Sequence, residues 1–229
     1  LRRVFLCDGD PLIMPQERLV WILDLLREKL PRLQRVGIYG NAKSILRKSP
    51  DELAMLRQKK LGIVYMVLES GDPVVLERVK KGVIPEQLIE AASRVRHAGM
   101  KLNVTVLLGL GGKARSSIHA RETMQVLNRM RPNHVGALTL MIVPGTPLHN
   151  EAQRGAFELP DKFELVAELR TMIAESQLDN CLFFSNHASN YFPVQARLPR
   201  DKQQILQELD AVLASRDEGS LRSEFVRAL

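Results

Sequence analysis

The sequence predicts an α/β protein assembled from successive parallel βαβ units, on three observations. Short apolar runs alternate with segments of helical period along most of the chain. The apolar runs end in Gly, Asp, Asn or Pro turn chemistry. The 229 residues are 45% hydrophobic and 26% charged, a globular composition that excludes general disorder. The length allows one large domain or two small ones, and α/β barrels of this size are normally single domains.

Arg3 to Cys7 is the first strand and ends at Asp8-Gly9-Asp10-Pro11. Pro15 to Leu30 carries apolar residues at Leu19, Val20, Ile22, Leu23, Leu26 and Leu30, a helical period. Arg35 to Tyr39 is the second strand, ended by Gly40-Asn41. Ser49-Pro50-Asp51-Glu52 starts a helix, with Ser49 as N-cap, Pro50 in the first position and acids in the first turn. Leu61 to Leu68 is an unbroken apolar run, as expected of a strand covered on both faces. Glu69-Ser70-Gly71-Asp72-Pro73 ends it. A short helix runs to about Val79, and another runs from Pro85 to Ala98 with Gly99 closing it.

Lys101 to Leu108 is the fourth strand, ended by Gly109-Leu110-Gly111-Gly112, and Ser116 to Arg131 is helical. His134 to Val143 is the fifth strand, ended by Pro144-Gly145-Thr146-Pro147, and Asp161 to Gln177 is helical. Five strands each followed by a helix indicate parallel βαβ units. After Asn180 the rhythm breaks. Cys181 to Phe184 is a short strand, Asn186 to Pro199 loop-like, Lys202 to Leu213 helical, and the last dozen polar residues are expected to fray. The expected organisation is a core over 1–180 and a C-terminal extension over 181–229.

Composition excludes several classes. Two cysteines, Cys7 and Cys181, make neither a disulfide scaffold nor a closed thiolate metal site from this chain alone, and both read as buried small hydrophobes. No stretch of apolar residues is long enough for a membrane helix. Asp8 and Asp10 interrupt the apolar run after Arg2 and Arg3, so the start is no signal peptide, and a cytosolic protein without a membrane partner is expected. The chain begins at Leu1 rather than Met, as expected of a removed start or a piece of a longer protein.

The net charge of +7 is concentrated. Residues 1–60 hold 13 Lys/Arg against 7 Asp/Glu, while the rest hold 20 against 19. The excess lies in Arg27, Lys29, Arg32, Arg35, Lys43, Arg47, Lys48, Arg57, Lys59 and Lys60. These form either a face for an anionic partner such as RNA or a set of solvated helix ends; no aromatic platform is interleaved with them.

In parallel α/β folds the ligand lies at the C-terminal ends of the strands. Here those ends carry Asp8, Gly9 and Asp10, then Asn41, then Glu69 and Ser70, then Gly109, Gly111 and Gly112, then Val143, Pro144 and Gly145. Carboxylates accept hydrogen bonds from ammonium or hydroxyl groups, and glycines let the backbone approach a ligand. The set suits a polar, amine-bearing small molecule with an aromatic base. Each element also has a plainer reading as a turn or helix cap. Asn103 and Thr105 alternate with apolar residues and face either a barrel lumen or satisfied neighbours. None of the five histidines has metal-ligand spacing. His97 and His119 read as helix residues, whereas His187 lies in the small polar run Ser185 to Asn190, which suits closure over a site.

The strand ends in this order resemble the radical S-adenosylmethionine (SAM) superfamily. Asp8-Gly9-Asp10-Pro11-Leu12 is similar to that family's Gly-Gly-Glu-Pro-like motif, which binds the methionine amino group of SAM, with Asp for the first Gly and Asp for Glu. Val67-Leu68-Glu69-Ser70, followed by Leu76 and Lys80-Lys81-Gly82, is similar to its Gly-x-Glu/Gln-Ser segment, with Val67 where Gly is usual. Leu107 to Gly112 resembles the next glycine motif. Val143 to Leu148 resembles the last strand's exit, which packs against adenine. No single motif is specific; the four in order carry the resemblance, over roughly residues 3–180. It points to the branch that includes the Elongator catalytic subunit and oxygen-independent coproporphyrinogen oxidase.

The resemblance implies a partial (β/α)6 TIM-like barrel, strands two to six, open where the first strand is missing, with a C-terminal helical extension. It implies that Asp10 and the Gly9 backbone hold the methionine amine, with Asp8 and Asn41 beside them. Glu69 and Ser70 face the methionine carboxylate or ribose, Asn103 and Thr105 line the lumen, and Gly109 and Val143 approach adenine. The family's Cys-x-x-x-Cys-x-x-Cys loop, which holds a [4Fe-4S] cluster, is absent, so the chain is expected to carry no catalytic or metal residue and to be inactive alone. The parent oxidoreductase would use SAM, the cluster and an external electron donor on an unassigned substrate. The alternatives are an RNA-binding or RNA-modification module using the basic first quarter and a degenerate, non-catalytic barrel scaffold. A Schiff-base lyase needs a lysine inside the barrel, and Lys101, the only strand lysine, sits at the wrong end.

Overall fold

The computed structural model describes residues 1–227. In chain order the elements are β1 (Arg3–Leu6), α1 (Gln16–Lys29), β2 (Arg35–Tyr39), α2 (Ala42–Leu46), α3 (Pro50–Gln58), β3 (Leu61–Glu69), α4 (Pro73–Arg78), α5 (Pro85–His97), β4 (Lys101–Leu108), α6 (Ser116–Met130), β5 (His134–Thr139), α7 (Pro147–Gln153), α8 (Lys162–Glu175), β6 (Cys181–Phe184), β7 (Gln195–Leu198) and α9 (Lys202–Ser215). The sheet order follows the chain, β1-β2-β3-β4-β5-β6-β7, which leaves β1 at an open edge. This is the α/β class that the strand–helix alternation predicts, with a mostly parallel, open sheet. The chain divides into two compact units, Leu1–Leu68 with Val83–Val104, and Glu69–Gly82 with Thr105–Leu229.

In the first unit β1, β2 and β3 pair in parallel, with Phe5 opposite Gly37 and Tyr39 opposite Tyr65. The register slips between Val36 and Gly37, so Gly62 is an extra residue on β3. One face of these strands carries Val36, Ile38, Val64, Met66 and Leu68, all buried, and the helices contribute Leu19, Leu23, Leu53, Leu56, Leu88 and Val95 to the same core. Ser49 and Glu52 form the expected capping box of α3: Glu52 N–H donates to Ser49 Oγ at 3.1 Å, and Ser49 N–H to Glu52 Oε2 at 2.7 Å. The other face of the strands is partly open, with Phe5 39% and Tyr39 38% exposed.

In the second unit β5 and β6 are parallel, with Val135 opposite Phe183. β7 runs antiparallel to β6. Its core includes Met124, Leu127, Leu165, Leu169, Met172, Ile173 and Phe183.

Four local expectations are corrected. β5 stops at Thr139, four residues early. Leu140 N–H still donates to Leu108 O, but no ladder continues into Met141-Ile142-Val143-Pro144, and Val143 lies exposed in the loop. Gln195–Leu198, expected in a loop, is a strand that alternates exposed and buried residues. Asn41 does not merely end a strand: its side chain accepts from Ser44 N–H and starts α2. Cys7 is exposed at the end of β1, whereas Cys181 is buried as expected, its thiol pushed up to about 12 by burial.

Candidate functional site

At the end of β1 the backbone turns sharply. Asp8 and Gly9 both have left-handed φ, +83° and +74°. A glycine adopts this freely, while Asp is among the few other residues that tolerate it. An added Cβ at Gly9 would meet nothing within 4 Å, so space lies open beside this turn. The turn delivers the Asp10 carboxylate to the start of α2. Asp10 Oδ1 accepts from Asn41 N–H at 3.3 Å, and Asp10 Oδ2 accepts from the Ser44 hydroxyl. Asp10 and Asn41, placed apart by sequence, therefore meet. Asp8 and Asn41 are exposed and Asp10 is half-buried. Asn103 is half-buried on β4.

The basic residues of this unit serve several ends. Lys48 is buried and donates to Met14 O at 2.7 Å, and burial lowers its proton affinity. Lys59 bridges to Asp24, Lys60 donates to Leu33 O, and Arg57 donates to Gly99 O. Arg27 and Lys29 pair with Asp24 and Glu28. Among the described residues Arg32, Arg35, Lys43 and Arg47 have no such partner.

In the second unit Glu69 has φ +65°, a strained value for a side chain of its length, and its carboxylate is 3.3 Å from Lys81 Nζ. Ser70 is fully buried. Its hydroxyl is 2.8 Å from His119 Nδ1 and accepts from Asp72 N–H at 2.9 Å. Gly71 N–H donates to Thr123 Oγ1 at 2.9 Å. The Asp72 carboxylate accepts from Arg115 Nε and Nη2 at 2.9 and 3.1 Å. Thr105 is half-buried. Gly109 has φ +83°, and an added Cβ would lie 2.9 Å from Leu165 Cδ2. Its N–H donates to Glu168 Oε1 at 2.7 Å, while Ser116 Oγ donates to Glu168 Oε2.

His119 lies in α6, as the sequence predicts, but sequence reasoning missed Thr123, Arg115 and Glu168, which with it hold the two loops. The available signal was His119 and Thr123 four residues apart on a stripe with Ala120, Met124 and Leu127. Polar groups on a core stripe need partners. Burial raises Glu168 to about 7. Burial lowers His119, although its hydrogen bond to Leu107 O, at 2.9 Å, opposes this. The Ser70, His119 and Glu168 side chains are each no more than 2% exposed, so this network positions loops and cannot receive a substrate. His187 is exposed at a loop tip. Its neighbours anchor that loop: Ser189 Oγ accepts from Thr139 N–H, Asn190 Oδ1 accepts from Thr139 Oγ1, and Asn190 Nδ2 donates to Ala137 O. The tail is held as far as Arg227, which stacks on Tyr191 at 3.8 Å; positions 228 and 229 lie outside the described residues.

Among the described residues no three His, Cys, Asp or Glu side chains group as a metal site. No helix is long and apolar enough to cross a membrane.

No family model matches the chain. A curated relative is the heme chaperone HemW of Bacillus subtilis, 19% identical over 177 residues, covering 76% of this chain and 45% of the relative. The chain thus spans about half the length of that relative. Coproporphyrinogen III oxidase (HemN) from Escherichia coli, described as a radical SAM enzyme, superposes with a TM-score of 0.61 at 16% identity, over 76% of this chain and 39% of that one. Elp3 of Methanocaldococcus infernus gives 0.62 at 14% identity, over 91% and 54%. Methylornithine synthase (PylB) gives 0.52 at 17% identity, over 84% and 50%. The chain has the α/β fold of these solved structures.

Proposed function

We propose that this chain is the SAM-facing part of a radical SAM iron–sulfur oxidoreductase, with residues 1–180 as its core and 181–229 as an extension. The fold likeness and the order of the strand-end motifs support the reading. One observation carries it: the left-handed Asp8-Gly9 turn presents a half-buried Asp10 carboxylate already oriented by Asn41 N–H and Ser44 Oγ, beside open space. A carboxylate held in this way accepts further hydrogen bonds from an ammonium group at little ordering cost.

The residues therefore suit the methionine amine of SAM. Asp10 would accept from that amine, with the Gly9 backbone and Asp8 beside it and Asn41 near. In the second unit Glu69, held by Lys81, would face a hydroxyl or the methionine end. Ser70, spent on His119 and Asp72, would act by fixing that loop. Thr105 and Asn103 would line the lumen, and Gly109 and Val143 would approach the base. SAM, when bound and reduced, supplies a 5′-deoxyadenosyl radical that abstracts a substrate hydrogen.

The residues do not suit the cluster. Cys7 and Cys181 are the only thiols of the sequence, so the three-thiolate ligand set would come from outside it, and the 229 residues alone would not cleave SAM. The reading implies a cytosolic parent with an external electron donor. Anaerobic reconstitution of the parent with iron and sulfide tests it. The expected result is 5′-deoxyadenosine formed from SAM and lost with Asp10→Ala. A parent that loads a cluster but leaves SAM intact would sink the proposal.

A further inference from the structure

The open face of the first unit carries an arrangement that the SAM-binding turn does not use. Phe5, Tyr39 and Tyr65 form a three-ring cluster, each pair edge-to-face. Phe5 lies 4.9 Å from each tyrosine, and the two tyrosines are 6.0 Å apart. Gly37 makes room for it: a Cβ there would stand 2.7 Å from Phe5 Cδ2. Phe5 and Tyr39 remain more than a third exposed, and neither tyrosine hydroxyl has a hydrogen-bond partner among the described residues. Three rings gathered on a sheet face would normally be covered, so their exposure points to something that covers them.

What covers them is indicated by the charges on the same face. Side chains two apart on a strand share a face, which puts Arg3 with Phe5 and Arg35 with Gly37 and Tyr39. Arg3 and Arg35 are direct register partners on neighbouring strands. The Arg35 stem lies against the bulge glycine Gly62, where a Cβ would be 2.7 Å from Arg35 Cγ. Like charges directly opposite in a sheet repel, and neither arginine has an acidic partner among the described residues. Two adjacent guanidinium groups without a counter-charge suit an oxyanion, and a carboxylate can take paired N–H donors from each.

We infer that the face of Arg3, Phe5, Arg35, Gly37, Tyr39 and Tyr65 binds a flat, π-rich molecule bearing a carboxylate. The ring body lies on Phe5 and Tyr39, and the carboxylate reaches Arg3 and Arg35. Phe5 is two residues from Arg3 and Tyr39 four from Arg35, about 6.6 and about 13 Å along the strands, so the long arginine side chains must reach toward the rings to meet the carboxylate. As the assignment of a substrate class, this rests on the radical SAM reading; as a binding site, it does not.

The test uses 2-naphthoate as probe, titrated against the full chain by fluorescence anisotropy, with neutral 2-naphthamide as control. The expected result is saturable one-to-one binding of naphthoate. Binding should be about tenfold weaker or worse for the amide, for Arg3→Ala with Arg35→Ala, and for Tyr39→Ala. Circular dichroism melting checks that each variant folds; losing one arginine should not lower the midpoint, because it relieves repulsion. Asp10→Ala should leave naphthoate binding intact while removing SAM binding from the parent, so either idea can fail alone. Equal binding of acid and amide would reduce the face to a greasy patch and overturn the inference. So would naphthoate binding that survives loss of both arginines, or a dimer that Phe5→Ser dissociates.

Discussion

The Ser70 hydroxyl lies 2.8 Å from His119 Nδ1, with both side chains sealed from solvent. Because His119 Nε2 donates to Leu107 O, Nδ1 is the acceptor and Ser70 the donor. The serine oxygen in turn accepts from Asp72 N–H. The pair has the composition of a nucleophile and its base, but its burial makes it a strut between the loop after β3 and the end of β4.

Ser70→Ala should therefore destabilise without touching any exposed group. It leaves Asp72 N–H unpaired in the interior and His119 Nδ1 with only a long 3.5 Å contact to Thr123 Oγ1, at about 1–3 kcal/mol. His119→Leu should cost at least as much, since it strands Leu107 O as well. The double variant should cost less than the sum, because each partner is orphaned only once. Urea denaturation of the four proteins measures the coupling. Strict additivity would mean that the two side chains do not act together.

Glu168 gives a pH-dependent contribution whose sign is set by its burial. Burial raises it to about 7, while the Ser116 and Gly109 bonds favour the charged form and limit the rise. In the unfolded chain it titrates near the usual 4.5. The folded state then holds the proton more tightly. Its contribution is fully present below about pH 4.5 and is lost as pH rises through about 7. His119 works in the opposite sense, staying neutral in the fold as pH falls below 6.5. His119 Nε2 lies 3.5 Å from Glu168 Oε1, so the comparison with Glu168→Gln is made with His119→Leu in both proteins. Relative to the Glu168→Gln protein, the one that keeps Glu168 should lose up to about 3 kcal/mol between pH 5 and 8. Parallel stability profiles for the two proteins would contradict this assignment.

Two glycines in the strand-end loops should respond very differently to alanine. At Gly71 an added Cβ would stand 2.6 Å from Thr123 Cα, in the backbone of α6, which cannot give way. Gly71→Ala should cost about 3 kcal/mol or more. At Gly9 the space is empty, and only the positive φ opposes a side chain. Gly9→Ala should cost about 1 kcal/mol. Thermal melting of both variants checks the order; a larger loss at Gly9 would invert it.

The alternation of strands and helices was legible because each strand–helix pair buries its own apolar face, and that burial is written locally. β2, β4 and β6 fall on the expected residues. β7 was not legible: Gln195-Ala196-Arg197-Leu198 is too short to show a period, and only pairing with β6 makes it a strand. Val143 was misplaced because the apolar run outlasts the ladder. The strand-end motifs could be read singly, but the Asp10–Ser44 bond spans 34 residues and the Gly109–Glu168 bond 59, and nothing local encodes either. The aromatic cluster escaped for the same reason, since one ring comes from each of three strands.

The Asp10–Ser44 bond makes the last prediction. If Asp10 takes the methionine amine, Ser44 acts only by aiming the carboxylate, and the two should differ in degree. Asp10→Ala removes the charge and should weaken SAM binding by the cluster-loaded parent about tenfold or more. Ser44→Ala leaves the charge and the Asn41 N–H bond in place, so only a few-fold loss is expected. Asp10→Asn should fall near the alanine variant, because a neutral amide cannot balance an ammonium. Equilibrium dialysis with labelled SAM measures all three. A Ser44 variant as impaired as Asp10→Ala would shift the role from the carboxylate to the α2 turn itself.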